Sequence, residues 1–121
     1  MLKIRREQMA TFSADMAERF ESRLVARVEE HFPEDHAEQG DDGVRQTIRA
    51  GVALAHDYGI RAERDVARFV LLLYELGPDF DVSPRYPWAP GVLARKGASG
   101  TEKMDLLCDL AAEKAGARRL E

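Results

Sequence analysis

The sequence predicts an all-α fold, a single-domain helical bundle of four main helices. Apolar residues recur every three or four positions over long stretches, which is the spacing of one helix face. Residues 66–76, VARFVLLLYEL, are apolar on every side of a helix, which is typical of a helix buried among others. Glycines and prolines separate these stretches. We therefore expect amphipathic helices packed around this central one.

Length and composition favour one globular domain. The chain has 121 residues, of which 45% are hydrophobic and 33% charged. We assign residues 1–119 to this domain and treat Leu120 and Glu121 as a candidate cloning scar. The single cysteine excludes an intramolecular disulfide. No signal-peptide pattern or membrane-length apolar run is present, so we expect a cytoplasmic protein with no membrane partner.

The first helix is predicted between Arg6 and Phe32, and it ends before Pro33 because proline disfavours helix in the residue before it. Its apolar stripe keeps helical spacing throughout: Met9, Phe12, Met16, Phe20, Leu24, Val28 and Phe32. An apolar stripe serves a core or an interface equally well. A homodimer formed through this helix therefore stays an alternative.

An acidic segment follows, with five acids and no lysine or arginine over residues 34–42. A short helical turn is expected there, closed by Gly40. The second helix is predicted over residues 43–58. Gly59 then ends it in a left-handed conformation, and Ile60 folds its side chain back on the last turn.

The central helix begins within a few residues and ends at Gly77 and Pro78. Residues 77–92, GPDFDVSPRYPWAPGV, contain four prolines and three aromatic residues, so they predict a long loop before the last helix. A short helical turn is expected around residues 90–95. Thr101 is expected to cap the last helix, whose apolar residues again have helical spacing: Met104, Leu107, Cys108, Ala111 and Ala115.

No pattern indicates an enzyme, a metal site or a cofactor site. His31, His36 and His56 lack the spacing of a metal-ligating set. The chain contains no phosphate loop, dinucleotide-binding glycine pattern or nucleophile elbow. Cys108 lies on the apolar face of the last helix, flanked by aspartates, so a buried structural thiol is favoured over a reactive one. We expect no catalytic residue, no metal and no cofactor.

Nucleic acid is not an expected partner. The net charge is −4 and the pI is near 5.4, whereas binding to phosphates needs a basic surface. The helices joined by residues 59–62 have the connectivity of a DNA-reading pair, but the second of them is too apolar to contact bases. Five arginines are expected to form a solvated face or to receive an acidic partner: Arg45, Arg49, Arg61, Arg64 and Arg68.

The loop at residues 80–88 is the strongest candidate for binding another protein. Tyrosine and tryptophan are enriched at the centres of interfaces, and a proline-stiffened loop loses little entropy on binding. The alternative is that Phe80 and Trp88 plug the end of the helical core. The predicted partner-binding residues lie in this loop and on the central helix: Tyr86, Trp88, Asp79, Asp81, Arg64 and Arg68.

Three strings carry a resemblance to a known group of proteins: RFESRLVARVEEHFPE, YGIRAERDVARFVLLLYELGPDFD and WAPGVL. The stretch from Arg19 to Leu93 that contains them resembles small bacterial helical proteins associated with type VI secretion gene clusters, near spike-tip and effector genes. The resemblance implies a helical accessory, an adaptor or chaperone, that binds a spike or effector protein. It carries over no functional residue.

The expected function is therefore non-enzymatic protein binding, as an adaptor or chaperone of a bacterial secretion or effector system. The alternative is an immunity protein or antitoxin whose acidic segment masks the basic active site of a toxin. A complex that depends strongly on salt would favour this alternative, because exposed charges are screened by ions.

Overall fold

The computed structural model describes residues 2–116, and it describes side chains from Asp15 onward. All regular structure in this part of the chain is helical, which confirms the predicted all-α class. The helices are α1 (Leu2–His31), α2 (Pro33–Asp57), α3 (Glu63–Leu76), α4 (Trp88–Leu93) and α5 (Gly100–Lys114). Because α4 has only six residues, the four main helices and the long segment before the last one are as predicted.

The chain comprises two compact units, Met1–Ile48 and Arg49–Glu121. The assignment of residues 1–119 to a single domain stays a prediction, and Leu120 and Glu121 lie outside the described residues. Within residues 2–116, no helix combines the length and the apolar character needed to cross a membrane.

The first unit contains α1 and the beginning of α2. The predicted stripe of α1 is buried at Leu24, Val28 and Phe32, whereas Phe20 is half-buried and Met16 is 43% exposed. Among its described members, the stripe is buried from Leu24 onward. Two predicted members of the stripe lie outside the side chains that the structure describes: Met9 and Phe12.

Helix α2 begins at Pro33 and is broken at Gly40, as the sequence predicts. The backbone of Gly40 has φ 73° and ψ 169°, a region that essentially only glycine adopts. His36 lies before the break and Asp41 after it, and the imidazole Nε2 is 2.7 Å from the carboxylate Oδ1. Arg45 then pairs with Glu21 of α1 at 2.9 Å. These side chains hold the start of α2 together and fasten it to α1.

The end of α2 lies in the second unit and has the predicted geometry. Gly59 has φ 81°. The amide of Ile60 donates to the carbonyl of Ala55 at 2.9 Å, and the Ile60 side chain is fully buried. This backbone bond and the apolar contact satisfy the last turn of the helix.

Helix α3 is the buried centre of the second unit. Ten of its 14 residues are buried, including every residue from Asp65 to Leu73, so the all-round burial predicted for the central helix is confirmed. Helix α5 packs against α3 and against α4. Gly77, with φ 120°, ends α3 as predicted.

Two predictions about α5 are wrong in detail. Ser99, not Thr101, is the N-cap: its hydroxyl accepts from the amide of Glu102, whose carboxylate accepts from the Ser99 amide. This reciprocal pair is a capping box, and it places Thr101 inside the helix, where its hydroxyl is used elsewhere. Cys108 is only partly buried rather than a core thiol, because it sits at the edge of the stripe formed by Met104, Leu107 and Ala111.

Candidate functional site

Residues 77–87, the aromatic loop, form a chain of tight turns between α3 and α4. Three amides donate to the carbonyl three residues earlier: Phe80 to Gly77, Val82 to Asp79, and Tyr86 to Ser83, at 3.0–3.2 Å. The amide of Arg85 also donates to the Ser83 hydroxyl. Short local bonds of this kind, together with prolines, restrict the backbone before any partner arrives.

Phe80 anchors the aromatic loop in the core. Its ring is fully buried and lies 5.3 Å from the ring of Phe69 on α3, which in turn is 6.2 Å from the ring of Tyr58. Tilted aromatic pairs at these distances contribute about 1 kcal/mol beyond the area they bury. Phe80 therefore plugs the end of the core. This is the role that the alternative to partner binding predicted for it.

Asp81 is a second anchor. It is 6% exposed, and its carboxylate accepts a hydrogen bond from the Tyr58 hydroxyl at 2.7 Å. Lys103 of α5 donates to the backbone carbonyl of Tyr58 at 2.7 Å. Burial and the adjacent carboxylate raise the pKa of Tyr58 to about 12. The structure thus turns Asp81, predicted as a partner-binding residue, inward, whereas Asp79 is exposed.

Tyr86 and Trp88 are the half-exposed aromatic residues at the end of the loop. Their ring centroids are 5.8 Å apart at an interplanar angle of 59°. The Tyr86 hydroxyl donates to the carbonyl of Leu76 at 3.1 Å, which satisfies a backbone acceptor at the end of α3. Arg85 is exposed and places its guanidinium 5.6 Å from the centroid of the Tyr86 ring. We call Arg85, Tyr86 and Trp88 the aromatic surface.

Arg68 is not part of this surface. It is 6% exposed, and its guanidinium contacts Asp65 at 2.7 Å and Asp105 at 3.0 Å. Thr101 donates its hydroxyl to the other oxygen of Asp65 at 2.5 Å. These four residues form the Arg68 cluster, which joins α3 to α5. The expectation that Arg68 lies on a solvated face is therefore wrong, because Arg68 is itself buried and pairs with the buried Asp65 of α3 and the exposed Asp105 of α5.

The Arg68 cluster shifts the titration of its members. Burial raises the pKa of Asp65, but the hydrogen bonds from Thr101 and Arg68 outweigh burial, so its pKa lies below the ordinary value of 3.8. Arg64 is exposed in the first turn of α3, and its charge lowers the pKa of Asp65 further. Burial opposes the charge of Arg68, yet bonds to Asp65 and Asp105 raise its pKa overall. The Nε atom of Arg68 is buried without a hydrogen-bond partner.

The predicted site residues therefore separate into two groups. Tyr86 and Trp88 come together at the surface, whereas Asp81 and Arg68 serve the interior. Sequence reasoning missed the partners that hold the loop and α5 in place: Tyr58, Lys103, Thr101, Asp105, Ser99 and Glu102. The spacing Ser-x-x-Glu signals the capping box, and the three-residue spacing of Asp65 and Arg68 signals an ion pair. No local signal connects Tyr58 with Asp81.

The structure also shows where the acidic segment and the arginines expected on one face lie. All five acids of the acidic segment are exposed: Glu34, Asp35, Glu38, Asp41 and Asp42. Of the arginines expected on one face, Arg45 belongs to the first unit, where it bonds Glu21 and Ser22, and Arg68 is buried in the second. In the part of the chain with described side chains, no three His, Cys, Asp or Glu residues are placed to hold a metal ion.

Comparisons of the chain with models of protein families, with curated proteins and with solved structures find no match. The function must therefore be argued from the geometry and from the chemistry of the residues themselves.

Proposed function

We propose that this protein is a non-enzymatic binding accessory, an adaptor or chaperone, that holds a partner protein against Tyr86 and Trp88. The observation that carries the proposal is the pair of half-exposed aromatic rings in mutual contact at the end of an anchored loop. Large aromatic side chains supply much of the binding energy at protein interfaces, since they bury a large area with few rotatable bonds.

Pre-organisation supports the proposal. Phe80 and Asp81 tie the aromatic loop to α3 and to Tyr58, and the Tyr86 hydroxyl is bound to the end of α3. Binding costs free energy for every side chain and loop that must become ordered. A surface that is already ordered in the free protein avoids most of this cost. More of the free energy gained by burying it then appears as affinity.

The wider setting that we propose is a bacterial secretion or effector system, with the protein acting in the cytoplasm on a spike or effector component. The support for this setting is the resemblance of residues 19–93 to proteins of type VI secretion gene clusters. The binding role itself rests on the aromatic surface and does not require that setting.

The test is capture of the partner from a lysate of the native organism, with Trp88→Ala compared with the unaltered chain. Truncating a residue at the centre of an interface costs about 2 kcal/mol or more, so we expect the recovered partner to fall by at least about tenfold. Phe20→Ala is the matched control, because Phe20 is also a half-exposed aromatic residue but lies on α1. A Trp88→Ala variant that stays helical by circular dichroism and retains its partner overturns the proposal.

A second candidate is an immunity protein or antitoxin that acts through the acidic segment. It is favoured by the exposure of all five acids of residues 34–42, with no lysine or arginine among them. In this case Glu34→Gln with Glu38→Gln should weaken binding several-fold at low salt. Glu18→Gln with Glu113→Gln, two exposed acids elsewhere, should not. Equal effects of both pairs would argue against a specific acidic interface.

A further inference from the structure

The exposed charged residues from 82 to 101 are all basic, although the chain as a whole carries a net charge of −4 and Asp79, earlier in the aromatic loop, is an exposed acid. Residues 82–101 contain three basic residues and no acid. The basic residues are Arg85 before α4, and Arg95 and Lys96 after it, and all three are exposed. Because α4 has six residues, its two ends are only about 9 Å apart, so these charges flank one short helix.

None of these three basic side chains forms a salt bridge with a described residue. The carboxylate of Asp81, the nearest acid before them in the chain, is occupied by the Tyr58 hydroxyl inside the fold. Glu102 follows them, but its carboxylate caps the amide of Ser99 and acts on Arg95 through its charge alone. Arg85 and Lys96 therefore carry positive charge that no acid among the described side chains pairs with.

Arg85 brings this charge directly to the aromatic rings, since its guanidinium lies 5.6 Å from the Tyr86 centroid. A guanidinium next to an aromatic ring can bind a carboxylate through paired hydrogen bonds while the ring contacts an apolar side chain. Lys96 offers a second charge at the other end of α4 as a mobile point contact.

We propose that the segment bound at the aromatic surface is an acidic peptide stretch of the partner that also carries an apolar or aromatic side chain. Its carboxylates pair with Arg85 and Lys96, and its apolar side chain packs on Tyr86 and Trp88. This inference rests on the proposed binding function and adds the chemistry of the partner. In an otherwise acidic protein, the local positive charge also directs an acidic partner to this face and accelerates association at low salt.

Trp88 provides the measurement, because it is the only tryptophan in the chain. Its fluorescence is followed while a peptide of alternating glutamate and phenylalanine is added, and then a matched peptide with lysine in place of glutamate. We expect the acidic peptide to change the emission with saturation and to bind at least about tenfold more tightly than the basic one. Affinity for the acidic peptide should fall as salt is added.

The variant Arg85→Glu with Lys96→Glu should lower affinity for the acidic peptide at least about tenfold. The control is Arg61→Glu with Lys114→Glu, which changes the net charge equally at exposed positions outside residues 82–101 and should leave affinity unchanged. Thermal unfolding of both variants checks that each is folded. Unchanged affinity in the first variant, preference for the basic peptide, or tighter binding of oligothymidylate than of the acidic peptide would each overturn the inference.

The two proposals fail separately. If the natural partner is lost with Trp88→Ala but retained by folded Arg85→Glu with Lys96→Glu, the binding function stands and the acidic chemistry is wrong. If both variants retain the partner, the aromatic surface is not the interface and both proposals are wrong.

Discussion

Single polar residues hold the second unit together, and the half-buried Tyr58 is the clearest of them. Its hydroxyl satisfies the carboxylate of Asp81, and its backbone carbonyl accepts from Lys103. A buried carboxylate that loses its donor keeps the full cost of having left water. Tyr58 is therefore one of the side chains that hold the aromatic loop in place, together with Phe80 and Tyr86.

Replacing Tyr58 by Phe should lower the free energy of unfolding by about 2 kcal/mol, since Asp81 loses its hydrogen bond while the ring contacts remain. Urea denaturation measures this. The double variant Tyr58→Phe with Asp81→Asn should be less destabilised than the sum of the single changes, because a neutral amide is cheaper to bury than an unpaired carboxylate. Strict additivity would show that the two side chains do not interact.

The alkaline titration of Tyr58 has a defined sign. Its folded pKa of about 12 lies above its unfolded value of 10.0, so the protonated hydroxyl favours the folded state. This contribution is complete below the unfolded pKa and is lost as the pH rises through the folded one. Absorbance titration of the folded chain should show a tyrosine ionising well above pH 10, and Tyr58→Phe should remove that step.

The Arg68 cluster contains a buried and an exposed acid, and their contributions should differ. The side chain of Asp65 is 4% exposed and that of Asp105 is 60% exposed. Asp65→Ala should cost about 3 kcal/mol, since it leaves a buried guanidinium without its closest partner. Asp105→Ala should cost less than about 1 kcal/mol because water screens that pair. Similar losses on chemical denaturation would contradict a buried role for Asp65.

At the scale of elements, the local sequence determines where helices end. It does not determine where the backbones of two segments come into close contact. Gly40, Gly59 and Gly77 interrupt or end helices where the sequence places them, since each has the positive φ that favours glycine. The start of α5 differs from expectation because two hydroxyl residues, Ser99 and Thr101, compete to cap it. The glutamate three residues after Ser99 decides the outcome.

Gly100 and Gly91 make a matched test of this distinction. A Cβ at Gly100 would lie 2.9 Å from the Cα of Ile60 and 3.0 Å from the carbonyl oxygen of Gly59, so backbone would have to move. Gly100→Ala should cost about 1–3 kcal/mol. Gly91→Ala meets no atom within 4 Å and should be neutral or stabilising by up to about 1 kcal/mol through helix propensity. Thermal unfolding distinguishes the two, and equal melting temperatures would contradict the close contact.

Across the whole molecule, acidic residues outnumber basic ones, and the acidic residues have different structural roles. The acidic segment is exposed, Asp65 and Asp81 are buried in specific bonds, and Glu102 caps α5. The net charge of the chain therefore does not describe residues 82–101, which carry three exposed bases and no acid. The positions of individual charged residues therefore say more about a partner than the net charge of the chain does.

Acid should destabilise the molecule. The pKa of Asp65 is below its ordinary value of 3.8 and that of Glu102 is below 4.5, so the unfolded state binds more protons near these values. Their stabilisation is present above the unfolded pKa and is lost as the pH falls through the folded one. The melting temperature should drop between about pH 5 and pH 2, with a smaller drop in Asp65→Asn. An identical pH dependence in that variant would exclude Asp65 as a source.

The sequence by itself determined the helical class, the buried central helix, the breaks at Gly40, Gly59 and Gly77, and the choice of Tyr86 and Trp88 as surface candidates. These depend on periodicity, backbone conformation and residue type, which are local properties. Only the tertiary structure decided that Asp81 and Arg68 face inward and that Thr101 binds Asp65. The physical reason is that burial of a charge depends on partners brought together by folding, here 23 and 36 positions apart in the chain.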